Sequence, residues 1–188
     1  MKNSKILFLL ALFLILPKLI KSGMKIFTFS KFKQSSRDKL LMLQTALINQ
    51  GLNEKQLKFA LAQLLLETGD FSSKSSVSKL NNNYSGIKYI CKSYQDAEKG
   101  SPVPANERAA TEKCSNYYAK FRDADAWAKD FIRILSLQRA ANQIGKPINA
   151  DTLNEYNDRL YANGYYSQGP GKKEGYYKNL LFFFNKID

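Results

Sequence analysis

The stretch NEKQLKFALAQLLLETG, residues 53–69, decides the fold, because it is a helix pattern with its own start and stop. Asn53 and Gln56 stand at the spacing of a capping box, in which each side chain bonds the other residue's backbone N–H. Gly69 supplies the residue type that most often ends a helix. Glu67 closes the apolar run, where the helix dipole and any loss of water both oppose ionisation of its carboxyl group.

The rest of the chain predicts a mainly helical α+β domain. Residues 38–51 form a second helix pattern, with a cap at Asp38 and a stop at Gly51, so that a tight helical hairpin is expected. Residues 81–122 are rich in turn-forming residues and predict a long loop that contains a small β-hairpin, with β-favouring stretches at residues 87–90 and 117–121. Further helices are expected from Asp123, from near Asp151 to Asn163, and over residues 176–187, where Leu180, Leu181 and Phe184 are assigned to the core.

The amino-acid composition limits the catalytic groups and the kinds of partner that the protein can use. The chain has 188 residues, enough for one domain with a sizeable core, and a formal net charge of +13 that indicates an anionic partner or surface. It contains no histidine, which excludes Ser-His and Cys-His nucleophiles and histidine metal sites. Catalysis would therefore use carboxylates, hydroxyls, tyrosine or lysine, and no metal or cofactor is implied.

The N-terminus predicts export. Lys2 and Lys5 precede an uninterrupted apolar run over residues 6–16, which Pro17 ends. This pattern is typical of a signal peptide or of an uncleaved signal anchor, which would attach the protein to the membrane. The predicted organisation is a signal segment over 1–23, a linker or short edge strand over 24–37, and a domain over 38–188.

Two cysteines, Cys91 and Cys114, are compatible with one disulfide in an exported protein. Their spacing fits no metal motif. The alternative is a pair of free thiols in a reducing compartment.

Five segments in order resemble a known family. AQLLLETGDFSS, NNNYSGIK, TEKCSNYYAKFRDADAWAKDFIRIL, YANGYYS and YYKNL look like the glucosaminidase domain of glycoside hydrolase family 73. The resemblance extends from about residue 40 to the C-terminus. It implies a lysozyme-like fold, whose small β-hairpin lobe flanks the substrate cleft. The implied activity is that of an endo-β-N-acetylglucosaminidase, which cleaves the β-1,4 bond after N-acetylglucosamine in peptidoglycan.

The same resemblance implies two catalytic carboxylates. Glu67 matches the general acid, which protonates the leaving oxygen, and Glu112 matches a second carboxylate on a hairpin. Glu107, Asp123 and Asp125 are rivals for the second role, although the two aspartates are also typical helix caps. Whether the bond is cleaved with inversion, with retention or with help from the substrate's acetamido group is left open.

Substrate contacts are implied at six further positions. Ser85 stands where many family members have an aromatic residue, and the neighbouring Tyr84 is a candidate replacement for that stacking contact. The alternative for the tyrosines of the last two helices is packing between helices. The predicted substrate-binding residues are Asn82, Asn83, Tyr84, Lys88, Tyr165 and Tyr176.

Other functions remain open from sequence. A muramidase or lytic transglycosylase of the same fold would also use an acid at a helix end, and a wall-binding protein that lacks catalysis would keep the groove alone. Nucleic-acid binding is not favoured, because the lysines are dispersed along the chain. The expected partner is the peptidoglycan glycan strand, at the cell envelope, and the host is either a bacterium or a phage.

Overall fold

The structure is a computed structural model that describes residues 24–69, 71, 81–105, 108, 114–138, 144–166 and 169–188. The predicted signal segment, residues 1–23, lies outside these ranges. Within them, no helix combines the length and the apolar character that a membrane crossing requires.

The described residues form a mainly helical α+β domain with one two-stranded antiparallel hairpin, as the sequence predicts. Helix α2 packs against α5, helix α1 packs against α3, and α4 packs against α5 and against a short 3-10 turn over Pro147–Asn149. The helices are α1 Gln34–Asn49, α2 Glu54–Thr68, α3 Ala124–Leu135, α4 Leu153–Ala162 and α5 Lys172–Lys186.

Helix α2 has the two ends that its sequence predicts. The side chain of Asn53 accepts from the backbone N–H of Gln56, and the side chain of Gln56 accepts from the backbone N–H of Asn53. Gly69 follows the helix in the left-handed conformation, with φ of 56°. Between these ends, residues 59–65 are all buried, because a helix that is apolar on every side needs protein around it.

The predicted start of α1 is wrong, whereas the predicted starts of α4 and α3 are confirmed. Helix α1 begins at Gln34, so that Asp38 lies inside the helix and accepts a hydrogen bond from the Gln34 side chain, 2.7 Å away. The cap of α4 is Thr152, next to the predicted position. Asp123 caps α3 by accepting from the backbone N–H of Ala126.

Residues 24–33, which the sequence predicts to be a linker or edge strand, belong to the core instead. Phe27, Phe29 and Phe32 are buried among the helices. The side-chain amide of Gln44 in α1 bonds both the N–H and the carbonyl of Phe27, so that this backbone is satisfied without a strand partner. Aromatic burial therefore outweighs the basic, loop-like composition of the segment.

The hairpin pairs β1, Ala97–Pro102, with β2, Tyr117–Phe121. The second strand matches the sequence prediction, whereas residues 87–90, the other predicted strand, contribute only an isolated bridge between Lys88 and Tyr118. The sequence of β1, AEKGSP, is poor in β-favouring residues. Pairing with β2, which is not visible in local sequence, therefore defines this strand.

Three contacts fix the hairpin. Cys91 and Cys114 form a disulfide, and the Asn81 amide donates to the Ser101 hydroxyl at 2.6 Å. A Cβ on Gly100 would lie 2.8 Å from the backbone oxygen of Tyr118 and 2.9 Å from the Asn81 side chain. Only a residue without a side chain permits so close an approach.

A buried polar network joins the hairpin to α3. The Gln95 amide donates to the carbonyl of Lys88 and to the carboxylate of Asp130, and its oxygen accepts from the backbone N–H of Ile90. Asp130 also pairs with Arg133 one turn later. Because Gln95 and Asp130 are both buried, each needs these partners, and the network holds the hairpin in one position on the helical body.

Candidate active site

Glu67 lies in the last turn of α2, where the buried stretch over residues 59–65 reaches the surface. Its side chain is exposed as a whole, although protein groups crowd the carboxyl end. That loss of solvation raises the pKa of the Glu67 carboxyl group. A substrate can therefore reach a carboxyl group that keeps its proton to a higher pH than an ordinary glutamate.

Tyr176 of α5 is the direct partner of this carboxyl group. Its hydroxyl donates to Oε1 of Glu67 at 2.8 Å. The hydrogen bond favours the charged carboxylate and so lowers the pKa of Glu67, but desolvation is the larger effect. Burial and the neighbouring Glu67 both raise the pKa of Tyr176, which stays a neutral donor.

Two further tyrosines lie within the electrostatic reach of Glu67. Burial, followed by the field of the Glu67 carboxylate, raises the pKa of the Tyr165 hydroxyl. Burial also raises the pKa of Tyr156, with Tyr165 and Glu67 as smaller causes. Both phenols are therefore neutral in the folded protein, and among the described residues the groups that act on the Glu67 carboxyl group are hydroxyls rather than cations.

Gln63 lies one helical turn before Glu67 and is fully buried. Its side-chain oxygen accepts from the hydroxyl of Tyr156. Its Nε2 has no partner of good hydrogen-bond geometry among the described residues, although the Gln63 side chain is near enough to Tyr165 to lower the pKa of that hydroxyl. Gln63 thus connects the tyrosines of the C-terminal half to α2.

A tyrosine shelf, defined as Tyr161, Tyr166 and Tyr176, lies beside the carboxyl group. The rings of Tyr166 and Tyr176 stack with centroids 3.9 Å apart and planes 7° from parallel. Tyr161 is tilted against Tyr166 at 5.6 Å. Tyr166 donates to the side-chain oxygen of Asn157 at 2.8 Å, which fixes the ring. The shelf is half-buried and presents apolar ring surface next to hydroxyl groups.

Asn83 is predicted to bind substrate, and the structure gives it an architectural position. It is buried, its amide donates to the carbonyls of Ile87 and Ala119, and its oxygen accepts from the backbone N–H of Ile87. These bonds hold the turn over residues 83–87 against β2. Asn83 therefore supports the loop from inside the protein.

The other predicted contacts of this loop differ in accessibility. Asn82 is half-buried and donates to the carbonyls of Phe121 and Arg122. Tyr84 is buried edge-on against Trp127, with ring centroids 5.3 Å apart, so that it is packed rather than offered to a ligand. Lys88 is exposed.

The predicted second carboxylate, Glu112, and its rival Glu107 lie outside the described residues. The two aspartates that compete with them have structural positions. Asp123 is the cap of α3, and its pKa is lowered by the hydrogen bond from the backbone N–H of Ala126. The side chain of Arg122 and nearby groups lower this pKa further. Asp125 accepts from the side-chain amide of Asn49. Both aspartates are therefore engaged with partners at the start of α3.

Two concave surfaces lie on the hairpin, and neither is lined by Glu67. One, of about 390 Å³, is bounded by the disulfide. The other, of about 530 Å³, has Asn82 at its edge and polar or charged side chains from both strands. The lining of the second surface is Asn82, Ser93, Gln95, Asp96, Ala97, Glu98, Lys120, Phe121 and Arg122.

Among the described residues, no three acidic, cysteine or histidine side chains are grouped as a metal ion would require. The raised pKa of Glu67 and the hydrogen bond from neutral Tyr176 suit this carboxyl group to proton transfer. The structure brings together three of the predicted residues, Glu67, Tyr165 and Tyr176.

Sequence reasoning did not assign a role to Gln63, Tyr156 or Tyr166. The position of Gln63 could have been found, because residues four apart share one helix face. Tyr156 contacts Gln63 across 93 positions of sequence, and no local pattern signals such a contact.

Comparison with known proteins gives no relative: no protein-family model, no curated protein and no solved structure matches the chain.

Proposed function

We propose that this protein is a peptidoglycan hydrolase of lysozyme-like fold, an endo-β-N-acetylglucosaminidase in which Glu67 is the general acid. The observation that carries the proposal is the setting of Glu67. Its exposed side chain ends a buried helix, desolvation raises the pKa of its carboxyl group, and Tyr176 donates to it. Glycosidic cleavage needs a carboxylic acid that still holds its proton near neutral pH.

In the proposed reaction, the proton of Glu67 passes to the glycosidic oxygen as the bond to the anomeric carbon breaks. The carboxylate that remains accepts the Tyr176 hydrogen bond, which favours the charged form. Tyr176 thus stabilises Glu67 after the transfer, whereas the crowded surroundings keep the proton in place before it.

The chemistry of the tyrosine shelf favours a carbohydrate as the ligand. Sugar rings have apolar faces edged with hydroxyl groups, and a shelf of phenol rings offers both stacking surface and hydrogen-bonding tips. Tyr166 and Tyr176 are held parallel and close, so that the shelf is formed before a ligand arrives.

The second carboxylate is proposed to be Glu112, which either activates water or stabilises positive charge on the sugar. A separation of about 6.5–9.5 Å from Glu67 would favour inversion, and about 5–5.5 Å would favour retention through a covalent intermediate. The acetamido group of the substrate is the alternative nucleophile.

The proposed place of action is the cell envelope, after export. The net charge of +13 suits anionic wall polymers, and the apolar run over residues 6–16 suits export or membrane attachment. We propose no metal, no organic cofactor and no nucleic-acid partner.

The test is digestion of purified peptidoglycan by the full chain, with mass spectrometry of the products. New reducing ends at N-acetylglucosamine are expected. Glu67→Gln should lower the rate by about 10²–10⁴-fold, because the amide cannot donate the required proton. Glu54→Gln is the matched control, because Glu54 is an exposed glutamate at the other end of the same helix.

Three results would reject or change the proposal. Full activity of Glu67→Gln would remove the catalytic assignment, and binding without turnover by the unmutated chain would indicate a wall-binding protein. Reducing ends or anhydro products at muramic acid would instead assign a muramidase or a lytic transglycosylase.

A further inference from the structure

The outward face of α5 is unusual for the helix that closes a domain. Leu180 is fully buried, but Leu181, predicted to be in the core, is 37% exposed and Phe182 is 55% exposed. Lys178 and Lys186 lie one turn before and one turn after Phe182, and therefore on the same side of the helix. A large apolar side chain is thus held at the surface between two cations.

Lysines from other segments extend this face. The Nζ of Lys186 lies 4.5 Å from the ring centre of Phe182, and the Nζ of Lys58 lies 4.2 Å from that of Phe184. Lys25 approaches the ring of Phe27 at 5.7 Å. The cationic-aromatic face is defined as Lys25, Lys31, Lys58, Lys178, Phe182 and Lys186.

The lysines of this face are close enough to repel one another. Burial is the main cause that lowers the pKa of Lys58, and the charges of Lys25 and Lys31 lower it further. The carboxylates that act on Lys58 are Glu54 and Asp188. Asp188 is already held by the hydroxyl of Ser30, so that the face retains an excess of positive charge.

The face also lies where the apolar N-terminal sequence joins the domain. Met24 is the first described residue, and the uninterrupted apolar run over residues 6–16 ends shortly before it. The backbone N–H of Thr28 donates to the carbonyl of Asp188 at 3.0 Å, which ties the entering segment to the end of α5. Any structure that binds the apolar run therefore lies close to this face.

We propose that the cationic-aromatic face docks on the surface of a lipid bilayer that contains anionic headgroups. The lysines contact the phosphate layer, while Phe182 and Leu181 enter the boundary between headgroups and acyl chains. Surface helices that bind membranes combine these two features, basic residues and large apolar side chains. A soluble polyanion would use the lysines but would give exposed Phe182 no apolar contact.

The proposal is independent of catalysis and goes beyond attachment through residues 6–16. An N-terminal segment alone would leave the domain free to rotate at the membrane. Docking by this face instead fixes one orientation, with α5 against the bilayer.

Tryptophan fluorescence of the full chain in vesicles with brominated acyl chains tests this orientation. Phe182→Trp places an indole on the face, and the native Trp127 is fully buried, so that the unmutated chain supplies the background. We expect bromine quenching of the introduced indole in vesicles with phosphatidylglycerol and several-fold less in phosphatidylcholine alone. Leu181→Trp serves as a second position, because Leu181 is also exposed on α5 and its replacement removes no charge.

The matched control is Tyr94→Trp, because Tyr94 is 59% exposed on the hairpin lobe and should remain unquenched. Replacing Lys25, Lys178 and Lys186 by Gln should reduce docking, by about fivefold for each lysine removed. The same three-charge change at Lys92, Lys129 and Lys146, which are exposed elsewhere, should not.

Equal quenching at both faces, equal quenching in neutral vesicles, or none at all would overturn the proposal. The last result, together with binding to a soluble polyanion, would assign the lysines to a polymer ligand instead.

Discussion

The two ends of α2 differ in how their side chains interact with the polar backbone groups that a helix end leaves free. At its start, Asn53 and Gln56 satisfy free backbone N–H groups, and the Gln56 amide also donates to the carbonyl of Ile148 at 3.1 Å. At its end, Glu67 adds a carboxyl group where the helix dipole is unfavourable and solvation is reduced. The start therefore stabilises the helix, whereas the end carries an electrostatic penalty that the proposed role as general acid would explain.

The largest effect is expected between the two ends. Leu64→Ala should lower the free energy of unfolding by about 2–5 kcal/mol, because Leu64 is fully buried and its removal leaves a cavity. Chemical denaturation measures the change. The control is Leu66→Ala, at a half-buried position on the same helix, where a smaller loss is expected. Equal losses would show that burial does not distinguish the two positions.

The capped end should respond locally. Asn53→Ala removes the acceptor for the Gln56 N–H and should lower the free energy of unfolding by about 1 kcal/mol. Asn53→Asp keeps a capping oxygen and should leave stability nearly unchanged. A similar loss in both variants would mean that the cap does not act through this oxygen. Denaturant midpoints at constant slope give the values.

The Glu67 end should respond in the pH profile. Tyr176→Phe removes the hydrogen bond that lowers the pKa of Glu67, so that this pKa should rise. Since the acid must be protonated to act, the alkaline limb of kcat/KM should move to higher pH, by less than about one unit for one hydrogen bond. Tyr177→Phe is the neighbouring control. An alkaline limb at unchanged pH would show that Tyr176 does not affect the pKa of the catalytic acid.

The smallest effect is on stability. With a raised pKa, folded Glu67 binds its proton more tightly than the unfolded chain does, so that its contribution to stability is lost as pH rises through the folded pKa. Glu67→Gln should remove that fall and leave the variant slightly more stable at neutral pH. The shift is small, because the side chain is exposed and solvent screens it. Urea denaturation across mildly acidic to neutral pH should show two stability curves that diverge as the pH rises; parallel curves would contradict the assignment.

The same contrast explains how much the sequence could predict. The cap at Asn53, the stop at Gly69 and the cap at Asp123 follow from local side-chain geometry and could be read directly. The start of α1 at Gln34 could not, because no side chain caps it. The burial of Phe27 could not be predicted, because the lysines next to it in the sequence are typical of an exposed segment.

The part of the candidate site that lies within α2 could be predicted from the sequence. The part that forms by contact between distant segments could not. Glu67 was found because its helix pattern and its unfavourable position are both local. Its surroundings depend on side chains that approach from α4 and α5, such as Tyr156 and Tyr166. Strand β1 was missed for the same reason, since its partner rather than its composition defines it.

Gly100 limits how this protein can vary. The backbone oxygen of Tyr118 and the side chain of Asn81 leave no room for even one added carbon. A library of variants selected for folding should therefore retain glycine at this position while the exposed strand residues around it diverge.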